Sequence, residues 1–237
     1  MKNIKREDLF RYMLAIVTAI LLAIASLVYP QSPLMVAPLF VSLVVMFLQS
    51  SANRYGYLLG GLNSVLYAVA YLLMGIYGQV FQSLCFSFPL QIWTFLRWKK
   101  NAYKNSTVFK RLSSKQFLLL LGICIVGCFG GVLVLNSLGS SNSVLDTIVT
   151  VLGIVVTILA LLSYVEYTTI NLVSCTLTIV LHILIMRENP AQITYVIYSV
   201  YALICVGLGF LHTRKLYREQ RIAASESETD TVSAERA

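Results

Sequence analysis

The stretch RWKKNAYKNSTVFKRLSSK, residues 97–115, decides how this chain of 237 residues is organised. It holds seven cations (Arg97, Lys99, Lys100, Lys104, Lys110, Arg111 and Lys115) and no acid, and long apolar sequence flanks it on both sides. In a water-soluble protein such a run suggests nucleic acid. Between membrane spans it reads as a cytoplasmic loop, because Lys and Arg resist translocation and collect on the inner side. The loop sets an orientation and divides the chain into two halves.

Composition supports the membrane reading. The chain is 58% hydrophobic and 12% charged, with mean hydropathy +0.78, against about 25% charged in a typical soluble domain. Its polar surface is too small to face water all round. The net charge of +8 sits in loops and ends, so nucleic acid is not an expected partner. Cys85, Cys124, Cys128, Cys175 and Cys205 all fall inside apolar stretches. With an odd count and no CxxC spacing they indicate neither disulfides nor zinc, and no cofactor is expected. The N-terminal apolar stretch is long and lacks a clear cleavage site, so it reads as a retained helix.

A bilayer crossing takes about 20 apolar residues. Such stretches lie near 10–29, 34–50, 55–74, 78–98, 116–137, 145–163, 167–186 and 191–212, with Pro30, Pro33, Gly75, Gly78 and Asn189-Pro190 among the breakers. Placing the N-terminus inside puts all but Arg187 of the 18 Lys and Arg residues on the inner side. Eight spans with both termini in the cytoplasm are therefore expected. A shift of 112 residues lays Tyr55 on Tyr167 and Met74 on Met186. Four spans separate equivalent positions, so the repeats run parallel, a recurring transporter design with its site between the halves. The expected divisions are a basic N-terminus with an extra helix (1–33), a first repeat (34–98), the basic loop with a linker helix (99–144), a second repeat (145–213) and a disordered polar tail (214–237).

Polar groups in hydrocarbon need partners. Asn63 and Tyr67 share a face of the third span. Gln82, Phe86, Pro89 and Trp93 follow helical spacing in the fourth, with Gln79 one turn before and Gln91 on a neighbouring stripe. Asn171, Cys175, Thr178 and His182 repeat that spacing in the seventh, and Tyr195, Tyr198 and Tyr201 lie in the eighth. This is a neutral, aromatic, hydrogen-bonding set, and the only cations within the spans, Arg11 and Arg97, stand at their inner ends. It suits a flat heterocycle carrying a sugar or hydroxyl tail, since rings stack and attract a cationic heterocycle while amides bond hydroxyls. A phosphorylated cargo is disfavoured. Any one amide is equally at home as glue between helices. Trp98, beside Lys99 and Lys100, reads as an interfacial anchor, and Asp146 and Glu166 sit at span ends where a carboxylate is cheap.

Gly61-Leu62-Asn63 through Trp98-Lys99-Lys100, including Tyr67, Tyr77, Gln82 and Phe88-Pro89-Leu90-Gln91-Ile92-Trp93, resembles the PnuC family of vitamin transporters. Asp146, Tyr164-Val165-Glu166 and Arg214-Lys215 resemble its second repeat, so the likeness covers roughly residues 36–218. The resemblance implies import of nicotinamide riboside across a bacterial inner membrane, with relatives carrying thiamine or riboflavin. It implies facilitated diffusion with trapping by a cytoplasmic kinase. It further implies a SWEET-like 3+1+3 arrangement of helices in an all-α integral membrane protein, and a homotrimer. Asn63, Gln82, Gln91, Trp93 and Asn171 become the leading substrate contacts, joined by Tyr67, Thr168 and Tyr198. Where several nicotinamide riboside carriers have Trp and Asn in the seventh span, this chain has Thr168 and Cys175. A membrane-embedded enzyme would need an interfacial cluster of Asp, Glu or His, but Asp146, Glu166 and Glu188 are scattered. A non-transporting vitamin sensor is a third reading.

Overall fold

A computed structural model describes residues 6–103, 106–139 and 142–235; Lys104 of the basic loop and the first five residues lie outside the described residues. The chain is helical almost throughout: α1 (Arg6–Val28), α2 (Pro33–Ser50), α3 (Tyr55–Leu73), α4 (Tyr77–Phe81), a π-helical segment (Gln82–Ser87), α5 (Phe88–Lys100), α6 (Ser114–Ser137), α7 (Ser143–Leu161), α8 (Tyr167–Glu188), a 3-10 turn (Pro190–Gln192) and α9 (Ile193–Glu235). Local chemistry marks the boundaries. Pro33 opens α2, where its missing N–H is not needed. Gly75 takes a positive φ of 70° between α3 and α4. A capping box starts α6, in which Ser113 Oγ accepts from the Gln116 backbone and Gln116 Oε1 accepts from the Ser113 backbone.

Among the described residues, seven helices are individually long and apolar enough to cross a membrane. The eighth crossing is the fourth in order, assembled from α4, the π segment and α5. The expected count of spans therefore stands, with the fourth broken. The last helix corrects another expectation. Its backbone stays helical to Glu235 where a disordered tail was expected, because Arg221, Ala223, Ala224 and Glu226 are strong helix formers.

Contacts between helices follow a two-fold logic. Within the halves α2 packs on α3 and α3 on the fourth span; likewise α7 packs on α8 and α8 on α9. Between the halves α2 meets α9, and the fourth span meets α7. The first helix of each repeat thus lies against the third helix of the other. The flanking helices obey the same rule: α1 packs on α2 and α9, and α6 packs on α7 and α4. The N-terminal helix and the linker helix hold equivalent places, so the architecture reads as four plus four.

The basic loop is folded. Ala102–Tyr103 and Ser106–Thr107 form a small antiparallel pair. Beyond it the chain docks on the α7–α8 turn, where the Lys110 N–H donates to Ser163 O and the Val165 N–H donates to Lys110 O. Gln220 of α9 clasps the loop, accepting from the Phe109 N–H and donating to Thr107 O. Phe109 is buried as a result.

Candidate substrate cavity between the halves

A cavity of about 270 Å³ lies between the halves, walled by α2, α3, the fourth span, α7, α8 and α9. Its polar lining consists of amides, hydroxyls, thiols and one imidazole, and no charged side chain is among its lining residues. Its volume is close to the lower bound of small-molecule sites, roughly 300 Å³.

Glycines let the walls carry amides. A side chain at Gly153 of α7 would strike Gln82 Nε2 at 2.4 Å, and one at Gly60 of α3 would strike Gln91 Oε1 at 2.3 Å. Gln82 donates to Ser87 Oγ (3.2 Å), while Gln91 Oε1 is buried with no hydrogen-bond partner. Gln79 belongs to a longer network. Its Nε2 donates to Thr150 Oγ1 (3.1 Å), Thr150 donates to Asp146 Oδ1 (3.4 Å), and Asp146 Oδ2 accepts from the Gly78 N–H (3.1 Å). Asp146 is fully buried in the first turn of α7, so it is no cheap span-end carboxylate. The close approach of α4 and α7 at Gly78 removes it from water, and the Gly78 N–H and the Thr150 hydroxyl supply hydrogen bonds in place of solvent.

On α8 the expected stripe holds: Asn171, Cys175, Thr178 and His182 all line the cavity, with Thr168 about one turn before it. Cys175 Sγ donates to Asn171 Oδ1 at 3.7 Å, and Thr168 Oγ1 donates back to Val165 O. Tyr198 of α9 lines the cavity beside Tyr201. Gln82, Gln91, Asn171, Thr168 and Tyr198 are therefore brought together.

Asn63, Tyr67 and Trp93 are not among the lining residues. Asn63 Nδ2 donates to Pro38 O (3.0 Å) and Ser42 Oγ (2.7 Å), and Ser42 donates to the Tyr67 hydroxyl (2.9 Å). Both residues pin α3 to α2, the helix-glue role that any membrane amide can take. Trp93 is 61% exposed on the outer surface of the bundle. The π segment is the reason: one extra residue in a turn rotates all that follows by about 100°. It carries Trp93 outward and Gln91 inward. Trp98 is a further correction, being wholly buried with its Nε1–H donated to Ala160 O (2.9 Å) instead of anchoring at the interface.

The lining residues Gln49, Tyr57, Tyr71, Tyr167 and Ser199 carried no motif that would have picked them out. Each end of the cavity abuts a packed cluster. At the end bearing the basic loop, Trp98 meets Tyr57 (4.7 Å), Phe109 (5.6 Å) and Tyr167 (6.4 Å). At the opposite end Ile76, Val149, Leu181 and Ile185 pack together.

The family model described as "Nicotinamide mononucleotide transporter" matches residues 32–215. Among curated proteins, the chain is 30% identical over 162 residues to the nicotinamide riboside transporter PnuC of Neisseria mucosa. That match spans 62% of each chain. Among solved structures it resembles the crystal structure of the vitamin B3 transporter PnuC, with TM-score 0.77 and 22% identity over 92% of this chain and 95% of that one. The likeness in structure gives the fold, an all-α multi-pass membrane protein, and the family match gives the lineage. This chain belongs to the nicotinamide mononucleotide transporter family, a family of transporters rather than enzymes.

Proposed function

We propose that the chain imports nicotinamide riboside by facilitated diffusion, with the cavity between the halves as its binding site. The observation that carries this reading is the uncharged lining. A riboside brings a flat cationic ring and neutral hydroxyls, which tyrosine faces and amides can serve. A nucleotide would bring a phosphate into a space with no Lys or Arg to receive it. A cytoplasmic kinase then traps the product by phosphorylation, which lets an uncoupled carrier accumulate its cargo. The basic end faces the cytoplasm of a bacterial inner membrane, with both termini inside. A homotrimer belongs to the same proposal; the largely uncovered apolar face of α6 offers surface for lipid or for other copies.

In liposomes, labelled nicotinamide riboside should equilibrate with no proton or sodium gradient; uptake that stops when either gradient is removed would refute uniport. Gln82→Ala should weaken binding by about 1–3 kcal/mol, the cost of leaving a buried ligand group unpaired. Thiamine or riboflavin is the second reading, favoured by Thr168 and Cys175 lining the cavity where several nicotinamide riboside carriers are expected to have Trp and Asn.

A further inference from the structure

His182 sits in the outer half of α8, buried, with its ring against Tyr195 at 5.4 Å. Its Nδ1 lies 2.6 Å from Ser199 Oγ, and Ser199 Oγ lies 2.7 Å from Tyr195 O. A carbonyl oxygen cannot donate, so the single hydroxyl proton of Ser199 occupies the short contact to Tyr195. Ser199 must then accept from His182, which fixes the proton of the neutral imidazole on Nδ1. The other nitrogen, Nε2, becomes a bare acceptor. It is buried, it has no hydrogen-bond partner, and His182 is a lining residue of the cavity. An unpaired acceptor in such a place carries a desolvation cost that a ligand donor removes.

We infer that His182 is a specificity-determining residue whose Nε2 accepts a hydrogen bond from an N–H of the cargo, and that Ser199 sets this polarity by fixing the tautomer. This rests on the proposed riboside-binding cavity. Tyr71 and Tyr198 also line the cavity, and Tyr71 packs toward the Tyr195 ring (6.4 Å). The His182 end is therefore the one suited to the flat ring, and the donor is the ring's carboxamide NH₂. The same cargo with a carboxylate in place of the carboxamide brings no proton and sets two acceptors against each other.

The test uses the full chain labelled with 15N-histidine, with His212→Gln removing the second imidazole signal. In the free protein, Nε2 should give the resonance of an unprotonated ring nitrogen and should move on saturation with nicotinamide riboside. His182→Ala should weaken binding of nicotinamide riboside roughly tenfold to a hundredfold, and His182→Gln, whose amide oxygen can accept, should recover most of the loss. Ser199→Ala frees the ring to invert, so preference for carboxamide over carboxylate should fall by about tenfold; loss of packing alone would weaken both ligands together. A protonated Nε2 in the free protein, an Nε2 resonance unmoved in the saturated complex, or an unchanged preference in Ser199→Ala each overturns the inference. If the wild type ignores nicotinamide riboside, the proposed cargo falls. The same titration with thiamine and riboflavin, which also carry N–H donors, then decides the role of His182, and binding of neither overturns it.

Discussion

At the basic end the cavity abuts Tyr57, Trp98, Phe109 and Tyr167, rings packed at centroid distances of 4.7 to 6.4 Å and tied by the bond from Trp98 to Ala160. At the opposite end it abuts the aliphatic cluster of Ile76, Val149, Leu181 and Ile185. Aromatic edge-to-face pairs have preferred geometry and add about 0.5–1.5 kcal/mol each beyond their burial. Aliphatic contacts are non-directional and re-form after a slide. The packing of the basic-end cluster is therefore directional, and that of the aliphatic cluster is not. The loop that marks the sequence so plainly is part of this difference, because its docking on Ser163, Val165 and Gln220 is what carries Phe109 beneath the cavity.

Four substitutions sharpen that contrast. Trp98→Ala should have the largest effect, about 3–5 kcal/mol lost in chemical unfolding, since it leaves a large void and removes the indole bond to Ala160 O, which keeps only its backbone donors such as the Ser163 N–H. Ile185→Ala should cost about 2–3 kcal/mol by the same assay, because its aliphatic neighbours can close on the gap. Equal losses at the two sites would remove the distinction between the ends. Thr150→Val breaks the link from Gln79 to Asp146 and should cost about 1–2 kcal/mol, read as a lowered melting temperature. Arg111→Ala should change stability by less than about 1 kcal/mol. Its ion pair with Glu166 is long (3.7 Å) and its side chain 73% exposed, and such pairs contribute little. A larger loss would mean that charge, and not the backbone bonds, holds the loop in place.

The spans were legible because a stretch of about 20 apolar residues has few other uses. The seventh-span stripe was legible because α8 is a regular helix, so spacing in sequence translates into a face. The fourth span defeated the same logic at the π segment, whose extra residue leaves no mark in the apolar pattern and turns Trp93 out of the site. Asn63 and Gln82 are both amides on membrane helices, and what separates them is their neighbour: Ser42 and Pro38 stand close to Asn63, while Gly153 leaves room beside Gln82. Asp146 read as a cheap span-end carboxylate because its burial depends on Gly78, 68 residues away in the chain. Trp98 looked interfacial because Lys99 and Lys100 follow it, although its own ring faces the core.

The central claim is that an uncharged cavity between the halves receives a neutral-tailed riboside. Calorimetric titration of the purified protein with nicotinamide riboside and with its 5′-phosphate tests it most directly, because the two ligands differ only in the charged group. The account predicts binding of the riboside and at least about a hundredfold weaker binding of the phosphate, the penalty for burying unpaired charge. Equal or tighter binding of the phosphate would contradict it.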